Sequence, residues 1–183
     1  IKILQLIEGA RQATGLAVII DVFRAFTVEA YLVNNGVQKL IPVGDKQIAY
    51  DYKEKNKDCI LIGERRGIML DGFDYGNSPS QIEKINFTGK TVVHTTSSGT
   101  QGIANAQNAN EILTGSLVNA KAIAEYIKMQ NPENVSLVCM GNGGKSEARE
   151  DTLCAEYIKS LLEGKNPNLD KEIEDLKNIA GKR

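Results

Sequence analysis

The chain has 183 residues, 42% of them hydrophobic and 25% charged, which is the size and composition of one globular domain. Its formal net charge of −1 gives none of the basic footprint of a nucleic-acid-binding protein, and we expect no such partner. The longest apolar run, Leu16 to Ile20, is too short to cross a bilayer, so we expect no membrane segment. Three cysteines without C-x-x-C spacing indicate reduced thiols and a cytoplasmic protein.

Short apolar runs alternate along the chain with segments of helical periodicity. The runs predict strands at 16–20, 39–43, 59–62, 90–94, 111–114 and 135–140. The periodic segments predict helices at about 23–35, 46–55, 99–107, 117–127 and 153–161. The stretch 63–79 between them has neither period and is expected to be irregular.

This alternation predicts an α/β fold: one domain over 1–183, three layers (α/β/α), and a mostly parallel sheet of about six strands. The strands are rich in Val, Ile and Leu, as expected when helices cover both faces. A further amphipathic helix is predicted at about 168–180, with Leu169, Ile173, Leu176 and Ala180 on one face. Its polar face is mixed in charge, which favours packing on this domain or in a homodimer over membrane binding.

Polar, charged and glycine residues follow five of the six predicted strands. In strand order they are Asp21 and Arg24; Glu64 and Arg65; Ser97, Ser98, Gly99 and Thr100; Ser116 and Asn119; and Gly141, Asn142 and Gly143, with Glu150 and Asp151 soon after. Ligands of parallel α/β sheets bind beyond the carboxyl ends of the strands, where all these residues would meet.

Each of these loops has a simpler explanation when taken alone. Asp21 could only cap the following helix, and the glycine loop lacks the lysine of a P-loop. Together, however, the carboxylates are hard oxygen ligands suited to Mg²⁺, and the arginines and backbone-rich loops suit anions. The combination predicts phosphoryl chemistry on a small anionic phosphate ester. His94, in an apolar run, is expected to be a core residue and not a general base.

In sequence order these segments resemble the 2-phosphosulfolactate phosphatase family, Mg²⁺-dependent enzymes of coenzyme M biosynthesis. The matching segments are V-I-I-D-V-F-R-A at 18–25, G-E-R at 63–65, G-F-D-Y-G-N-S-P at 72–79, S-S-G-T at 97–100, G-S-L-V-N-A at 115–120, and G-N-G-G followed by E-D within 141–151. Two departures stand out. The family often has Asn where this chain has Ser98, which leaves the substrate open. Its members usually run on past Arg183, which leaves open whether a C-terminal segment is missing here.

The resemblance implies hydrolysis of 2-phosphosulfolactate to 3-sulfolactate and phosphate, with Mg²⁺ as cofactor. Asp21, Glu64 and Asp151 are the candidate metal ligands, and Asp21, Arg24, Arg65 and Asp151 are the candidate catalytic residues. The two arginines would hold the phosphate and the sulfonate. The candidate substrate-binding residues are Asn77, Ser78, Ser97, Ser98, Gly99, Thr100, Ser116, Asn119, Gly141, Asn142 and Gly143.

Three alternatives stay open at this point. The pocket could serve another small phosphate ester, because function follows from the site and not from the fold. It could bind an anion without turning it over. Asp21 could also act as a covalent nucleophile, although direct membership of the haloacid-dehalogenase superfamily is rejected, because those enzymes carry a carboxylate two residues on, where this chain has Phe23. A metal-activated water is therefore the preferred nucleophile.

Overall fold

The fold was analysed in a computed structural model, which describes residues 1–180. The strands are β1 (Lys2–Gln5), β2 (Gly15–Ile20), β3 (Lys39–Pro42), β4 (Ile60–Arg65), β5 (Ile68–Met69), β6 (Thr91–Thr95), β7 (Ala109–Gly115) and β8 (Val135–Cys139). The helices are α1 (Leu6–Gln12), α2 (Ala25–Asn34), α3 (Lys46–Lys55), α4 (Pro79–Ile82), α5 (Gly99–Asn105), α6 (Ala120–Gln130), α7 (Arg149–Leu162) and α8 (Asp170–Ala180). The α/β class is confirmed.

The strands form two four-stranded sheets. The first sheet has the order β1-β8-β2-β7 and is parallel throughout; the second has the order β3-β6-β4-β5, with only β5 antiparallel to its neighbour. The predicted parallel pairing is confirmed. The prediction of one sheet of about six strands is wrong, because the six predicted strands divide equally between two sheets and each sheet gains one more.

The two additional strands lack a clear sequence signal. The four residues of β1 run into α1 without a turn residue between them, so Ile3, Leu4 and Ile7 form one short apolar stretch with no defined period. Strand β5 has two exposed residues and closes a tight hairpin on β4 in the stretch expected to be irregular. The turn of this hairpin has positive φ at Arg66 and Gly67.

Both faces of the first sheet are covered by helices. Along β2, Leu16, Val18 and Ile20 pack against α6 and α7, whereas Ala17 and Ile19 belong to the core formed with α1, α2 and α5. All five side chains are buried. This accounts for the unbroken apolar sequence of β2, because a strand with both faces buried has no polar side to alternate with.

The second sheet is covered in the same way, and one helix contributes to the cores of both sheets. Ile62 packs with α2 and α4 on one face, and Leu61 packs with α3 on the other. Helix α2 contributes Phe26 to a core of the first sheet and Val28 and Leu32 to the core of the second. It therefore fixes the position of the two sheets relative to each other.

A buried polar cluster ties α2 to the second sheet. His94 is fully buried on β6; its Nδ1 lies 2.9 Å from Glu29 Oε1 of α2, and its Nε2 lies 3.3 Å from Asn77 Oδ1. The expectation that His94 is a satisfied core residue is confirmed. Hydrogen bonds to both ring nitrogens offset the cost of burying a polar side chain at this position.

The C-terminal helix α8 lies against the N-terminal part of α7. Leu176 is buried, and Asp175 Oδ2 lies 3.5 Å from Arg149 Nη2. The side chain of Ala180, the last member of the predicted apolar face, and residues 181–183 lie outside the described part of the chain. Among the described helices, none has the length and apolar character needed to cross a membrane.

The approach of α5 to the first sheet requires a glycine. A Cβ at Gly102 would lie 2.5 Å from both Ile19 Cγ2 and Met140 Sδ. Gly102→Ala should lower the free energy of unfolding by up to about 2 kcal/mol in urea denaturation, because overpacking costs about 1–3 kcal/mol and the helix-propensity gain returns about 1 kcal/mol. Gly76→Ala is the control, because there the nearest atom is the movable end of the Gln81 side chain at 3.1 Å. Equal destabilisation by the two changes would contradict this account of α5.

Candidate active site

Asp21 is buried where β2 ends and joins two helix N-termini. Its Oδ1 accepts a hydrogen bond from the backbone N–H of Ala25 at 3.2 Å, and its Oδ2 accepts one from Gly99 N–H at 2.8 Å. The first bond caps α2, as the simpler reading of a strand-end Asp expects. The second reaches α5 and shows that capping is only part of what Asp21 does.

The contact between Asp21 and α5 depends on the absence of a side chain at residue 99. A Cβ at Gly99 would lie 2.9 Å from Ala25 Cβ, 2.9 Å from Phe26 Cζ and 3.0 Å from Asp21 Oδ2. A larger residue would therefore displace α5 from the carboxylate. Glycine is therefore required at residue 99 for the close packing of α5 against α2 and Asp21, in addition to its role in the turn.

Asp151 is held in the same manner from the start of α7. Its Oδ1 accepts from Val22 N–H and its Oδ2 from Gly141 N–H, both at 2.8 Å. The side chain is buried and spans from the segment after β2 to the loop after β8. Because Val22 follows Asp21 in sequence, the two carboxylates meet at the same corner of the first sheet.

Glu64 performs the corresponding role at the end of β4. Its Oε2 accepts from Gly67 N–H at 2.6 Å and from the Ser97 hydroxyl at 3.0 Å, while its Oε1 accepts from Ser97 N–H at 2.7 Å. All three predicted metal ligands are therefore buried carboxylates that join separate segments through backbone N–H groups.

Burial and neighbouring negative charges raise the pKa of Asp21 and of Asp151; the neighbouring charges are Asp151 and Glu64 for Asp21, and Glu150 for Asp151. Burial, followed by the neighbouring Asp151 charge, raises the pKa of Asp21 to about 7, even though its two backbone hydrogen bonds oppose the shift. Burial likewise raises the pKa of Asp151 to about 6, with hydrogen bonds from Val22 and Gly141 again opposing. Glu64 adds a smaller repulsion at Asp21. The corner thus concentrates negative charge that a cation would stabilise.

The loop 97–99 connects the whole cluster. Ser97 binds Glu64, Gly99 binds Asp21, and Ser98 between them binds the glycine loop. The Ser98 hydroxyl lies 2.6 Å from Gly141 O and 3.2 Å from Met140 O, and it accepts from Gly144 N–H at 3.2 Å. Three consecutive residues therefore set the relative positions of three strand ends.

Arg65 lies beside this loop, at the end of β4. Its guanidinium donates to the carbonyls of Glu64 and Gly44 at 2.7 and 2.9 Å and to Thr95 Oγ1 at 2.8 Å. Partial burial lowers the pKa of Arg65 from its usual value, although the Glu64 and Asp45 charges favour the protonated form. These bonds use three of the five guanidinium donors and leave two for a ligand.

A groove of about 990 Å³ opens in front of Arg65 and Ser97. Its walls are the start of α3, the helix α5, the β4–β5 hairpin and the glycine loop. The lining residues are Gly44, Asp45, Lys46, Ile48, Arg65, Arg66, Ser97, Gln101, Ala104, Gly143 and Lys145. Because Ser97 also binds Glu64, the groove adjoins the carboxylate cluster.

The structure brings together eight of the predicted site residues. Through the bonds described above they form one connected cluster: Asp21, Glu64, Arg65, Ser97, Ser98, Gly99, Gly141 and Asp151. Gly143 joins this set as part of the groove wall. The predicted convergence of residues from different strand ends is therefore observed for these nine residues, the eight of the cluster and Gly143.

Other predicted residues have different surroundings. Arg24 is exposed and does not line the groove. Asn77 contacts His94, and Ser78 Oγ lies 3.0 Å from Ser80 Oγ. The Thr100 hydroxyl accepts from Thr96 N–H at 2.8 Å and so closes its own turn.

The loop after β7 is also internally bonded. Asn119 Oδ1 accepts from Ser116 N–H at 2.8 Å, and Asn119 Nδ2 donates to Thr114 O at 3.0 Å. The Ser116 hydroxyl is buried and has no hydrogen-bond partner among residues 1–180. In the glycine loop, Asn142 N–H donates to Ser146 O at 2.8 Å, so this amide closes a turn.

Sequence reasoning missed Lys46, Arg66 and Lys145, which line the groove. Lys46 follows β3, and in the sequence this position carries the signal of a helix start, which is also what the structure shows. Lys145 comes directly after the glycine loop. Both lysines follow the carboxyl ends of strands, which is the sequence signal that indicates them.

The donor set fits Mg²⁺ in kind. Asp21 and Asp151 supply hard oxygen atoms, and each oxygen that accepts one N–H retains further acceptor capacity. Among the described residues, no three His, Cys, Asp or Glu side chains are placed to hold one ion. Mg²⁺ commonly uses one or two carboxylates and completes its shell with water and phosphate oxygens, which suits a pair.

The fold and this corner define an α/β domain whose candidate ligand site lies beyond the carboxyl ends of parallel strands. The chain belongs to the 2-phosphosulpholactate phosphatase family, whose model matches residues 1–182. The family resemblance seen in the sequence is thereby confirmed.

Curated relatives carry the same family name. A "Probable 2-phosphosulfolactate phosphatase" of Caldicellulosiruptor saccharolyticus is 40% identical over 150 residues, which cover 80% of this chain and 62% of the relative. One from Clostridium acetobutylicum is 39% identical over 78% of this chain and 60% of the relative, and one from Thermoplasma volcanium is 36% identical over 87% and 73%. The chain thus spans about three fifths of the length of the first two relatives.

The raised pKa values predict that the metal-free protein loses stability as the pH rises. The folded-state pKa values of Asp21 and Asp151, about 7 and about 6, lie above the ordinary 3.8, so the folded state holds protons that the unfolded chain has released. The stability that these two protonated groups contribute is fully present below pH 3.8. It is lost progressively as the pH rises from 3.8 through the folded-state pKa values of about 6 and about 7. For each group the slope is at most about 1.4 kcal/mol per pH unit.

Urea unfolding in EDTA between pH 4.5 and 7.5 measures this slope. Asp21→Asn should flatten it, and Asp58→Asn, at an exposed carboxylate, should leave it as in the wild type. Comparing the slopes separates the effect of titration from any pH-independent loss of stability, which arises because Asn accepts weaker hydrogen bonds than Asp21 at this position. Parallel curves for the wild type and Asp21→Asn would refute the assignment.

Proposed function

We propose that this chain hydrolyses the phosphate ester of 2-phosphosulfolactate to 3-sulfolactate and phosphate, with Mg²⁺ as cofactor. In this reaction water forms the new O–P bond, the P–O bond to the lactate carbon breaks, and a proton reaches the leaving alkoxide. The observation that carries the proposal is the buried pair Asp21 and Asp151 next to a cationic groove. Arg65 and Ser97 line this groove and also belong to the carboxylate cluster.

The choice of substrate follows from the relatives together with the chemistry of the groove. Relatives at 36–40% identity carry this substrate in their names. The groove supplies guanidinium and ammonium groups, which suit a phosphate and a second strong acid on one small molecule. The two free donors of Arg65 are suited to hold the phosphoryl oxygens.

Asp21 and Asp151 are the residues that would hold Mg²⁺. When bound, the ion would act as a Lewis acid that lowers the pKa of water and neutralises phosphate charge. The backbone N–H groups of Gly99, Val22 and Gly141 keep the two carboxylates in fixed orientations. Such preorganisation suits phosphoryl transfer, in which positioning and charge stabilisation supply most of the catalysis.

Water is the proposed nucleophile in place of a covalent phospho-Asp21. Phe23, at the position where a dehalogenase-type enzyme has its proton-transferring carboxylate, is apolar and 48% exposed. Both oxygens of Asp21 also accept backbone hydrogen bonds, which suits a ligand held in place more than a carboxylate that must attack phosphorus.

The environment and assembly of the protein are proposed on more general grounds. Cys59, Cys139 and Cys154 are free and buried, which supports a reducing compartment such as the cytoplasm. The homodimer and the absence of a nucleic-acid partner stay predictions.

Phosphate release from 2-phosphosulfolactate and from phenyl phosphate, with Mg²⁺ or with EDTA, tests the function. The wild type should release phosphate from the first substrate only with Mg²⁺. Asp21→Asn should reduce this rate at least about 100-fold, because one preorganised charged group contributes on this scale. Asp58→Asn should retain wild-type rates.

The other outcomes separate the alternatives. Faster release from phenyl phosphate would indicate a phosphatase for another ester. Tight binding of inorganic phosphate without any release would indicate an anion-binding module. Wild-type turnover by Asp21→Asn would remove Asp21 from the site.

A further inference from the structure

We propose that Lys46 and Lys145 form a subsite for a second anionic group of the ligand, separate from the phosphate position at Arg65 and Ser97. This inference rests on the proposed function, because it takes that function's substrate to be a phosphate ester with a further strong acid. It differs from the expectation that Arg24 and Arg65 together hold the phosphate and the sulfonate, because Arg24 does not line the groove.

The charge of the groove is strongly unbalanced. Four cationic side chains line it, from Lys46, Arg65, Arg66 and Lys145, against the single carboxylate of Asp45. That carboxylate is already engaged, because Asp45 Oδ1 accepts from Gln47 N–H at 2.9 Å and caps α3. The net positive field of the groove is therefore available to an anionic ligand.

The four cations differ in how far the protein itself uses them. The Arg65 guanidinium makes three hydrogen bonds and is partly buried. By contrast, the ammonium groups of Lys46 and Lys145 and the guanidinium of Arg66 have no hydrogen-bond or ion-pair partner within residues 1–180. Arg65 is thus a fixed element of the site, and Lys46, Lys145 and Arg66 are free to meet a ligand.

Both lysines are attached to segments that the site itself holds in place. Lys46 comes two residues after Gly44, whose carbonyl accepts from Arg65 Nη2 at 2.9 Å and from Gln101 Nε2 at 2.6 Å. Lys145 follows Gly144, whose N–H donates to Ser98 Oγ. The two ammonium groups therefore lie in the same groove as a ligand bound at Arg65.

The size of the groove also calls for more than a phosphate contact. Its volume of about 990 Å³ lies at the upper end of the range for small-molecule sites. A single phosphate group would occupy a small part of it. Ile48 and Ala104 give the wall an apolar part, and the cations without a partner within residues 1–180 that a second anion can contact are Lys46, Lys145 and Arg66.

Calorimetric titration with three probes tests the subsite without requiring turnover. The probes are 3-sulfolactate, lactate, which lacks the sulfonate, and inorganic phosphate. The wild type should bind 3-sulfolactate more tightly than lactate. Lys46→Gln and Lys145→Gln should each weaken 3-sulfolactate binding about three- to tenfold and change phosphate binding less than twofold.

Matched variants isolate the position of the charge. Lys128→Gln removes one exposed lysine on α6, away from the groove, and should bind all three probes as the wild type does. Lys46→Arg should restore most of the sulfolactate affinity. In turnover assays the glutamine variants should raise KM for 2-phosphosulfolactate and leave kcat within about twofold.

Equal affinity of the wild type for 3-sulfolactate and lactate would overturn the subsite, as would unchanged sulfolactate binding in both glutamine variants. These results are distinguishable from failure of the proposed function. A chain that releases no phosphate but loses sulfolactate affinity in the variants retains the subsite. A chain that turns over 2-phosphosulfolactate with unchanged KM in the variants retains the function and lacks the subsite.

Discussion

Three buried carboxylates that accept backbone N–H groups from separate loops are the constraint on which this corner of the molecule depends. Burying an ionisable carboxyl is costly unless it is hydrogen-bonded, and here every oxygen of Asp21, Glu64 and Asp151 has a backbone donor. The same bonds hold the ends of β2, β4, β6 and β8 together. The same hydrogen bonds therefore set the positions of the loops and of the carboxylate charges. A substitution that moves a loop also moves a charge, and the reverse.

This arrangement leaves excess negative charge that hydrogen bonds alone do not remove. Asp21 and Asp151 repel each other, and the raised pKa values show that burial outweighs the stabilising N–H donors. On the other side of Ser97 lies a groove with excess positive charge. Metal-assisted phosphate chemistry needs a negative site for the cation next to a positive site for the anion, and the corner and the groove provide this pair. The stability of the fold alone does not require the two to lie side by side.

The sequence predicted the parts of this structure that rest on strong local signals. Asp21 could be placed because an unbroken apolar strand ends on it, and α3 has the predicted bounds because its cap and charged face are clear. The division into two sheets was not predictable in the same way, because strand sequences do not encode which strands pair. Asn77 was assigned to the substrate because its motif matches the family, yet its amide contacts His94, a long-range contact with no local signal. Lys46 has no distinct sequence signal for the groove, because the same residue also begins α3.

The central claim is that Asp21 and Asp151 together hold a divalent cation next to the groove. A crystal structure of the protein grown with Mn²⁺ and 3-sulfolactate, with anomalous data at the Mn edge, tests it directly. The account predicts one strong anomalous peak about 2.0–2.4 Å from a carboxylate oxygen of each residue, with the organic anion in the groove. A Mn²⁺ ion bound elsewhere, or no peak at this corner at saturating Mn²⁺, would contradict it.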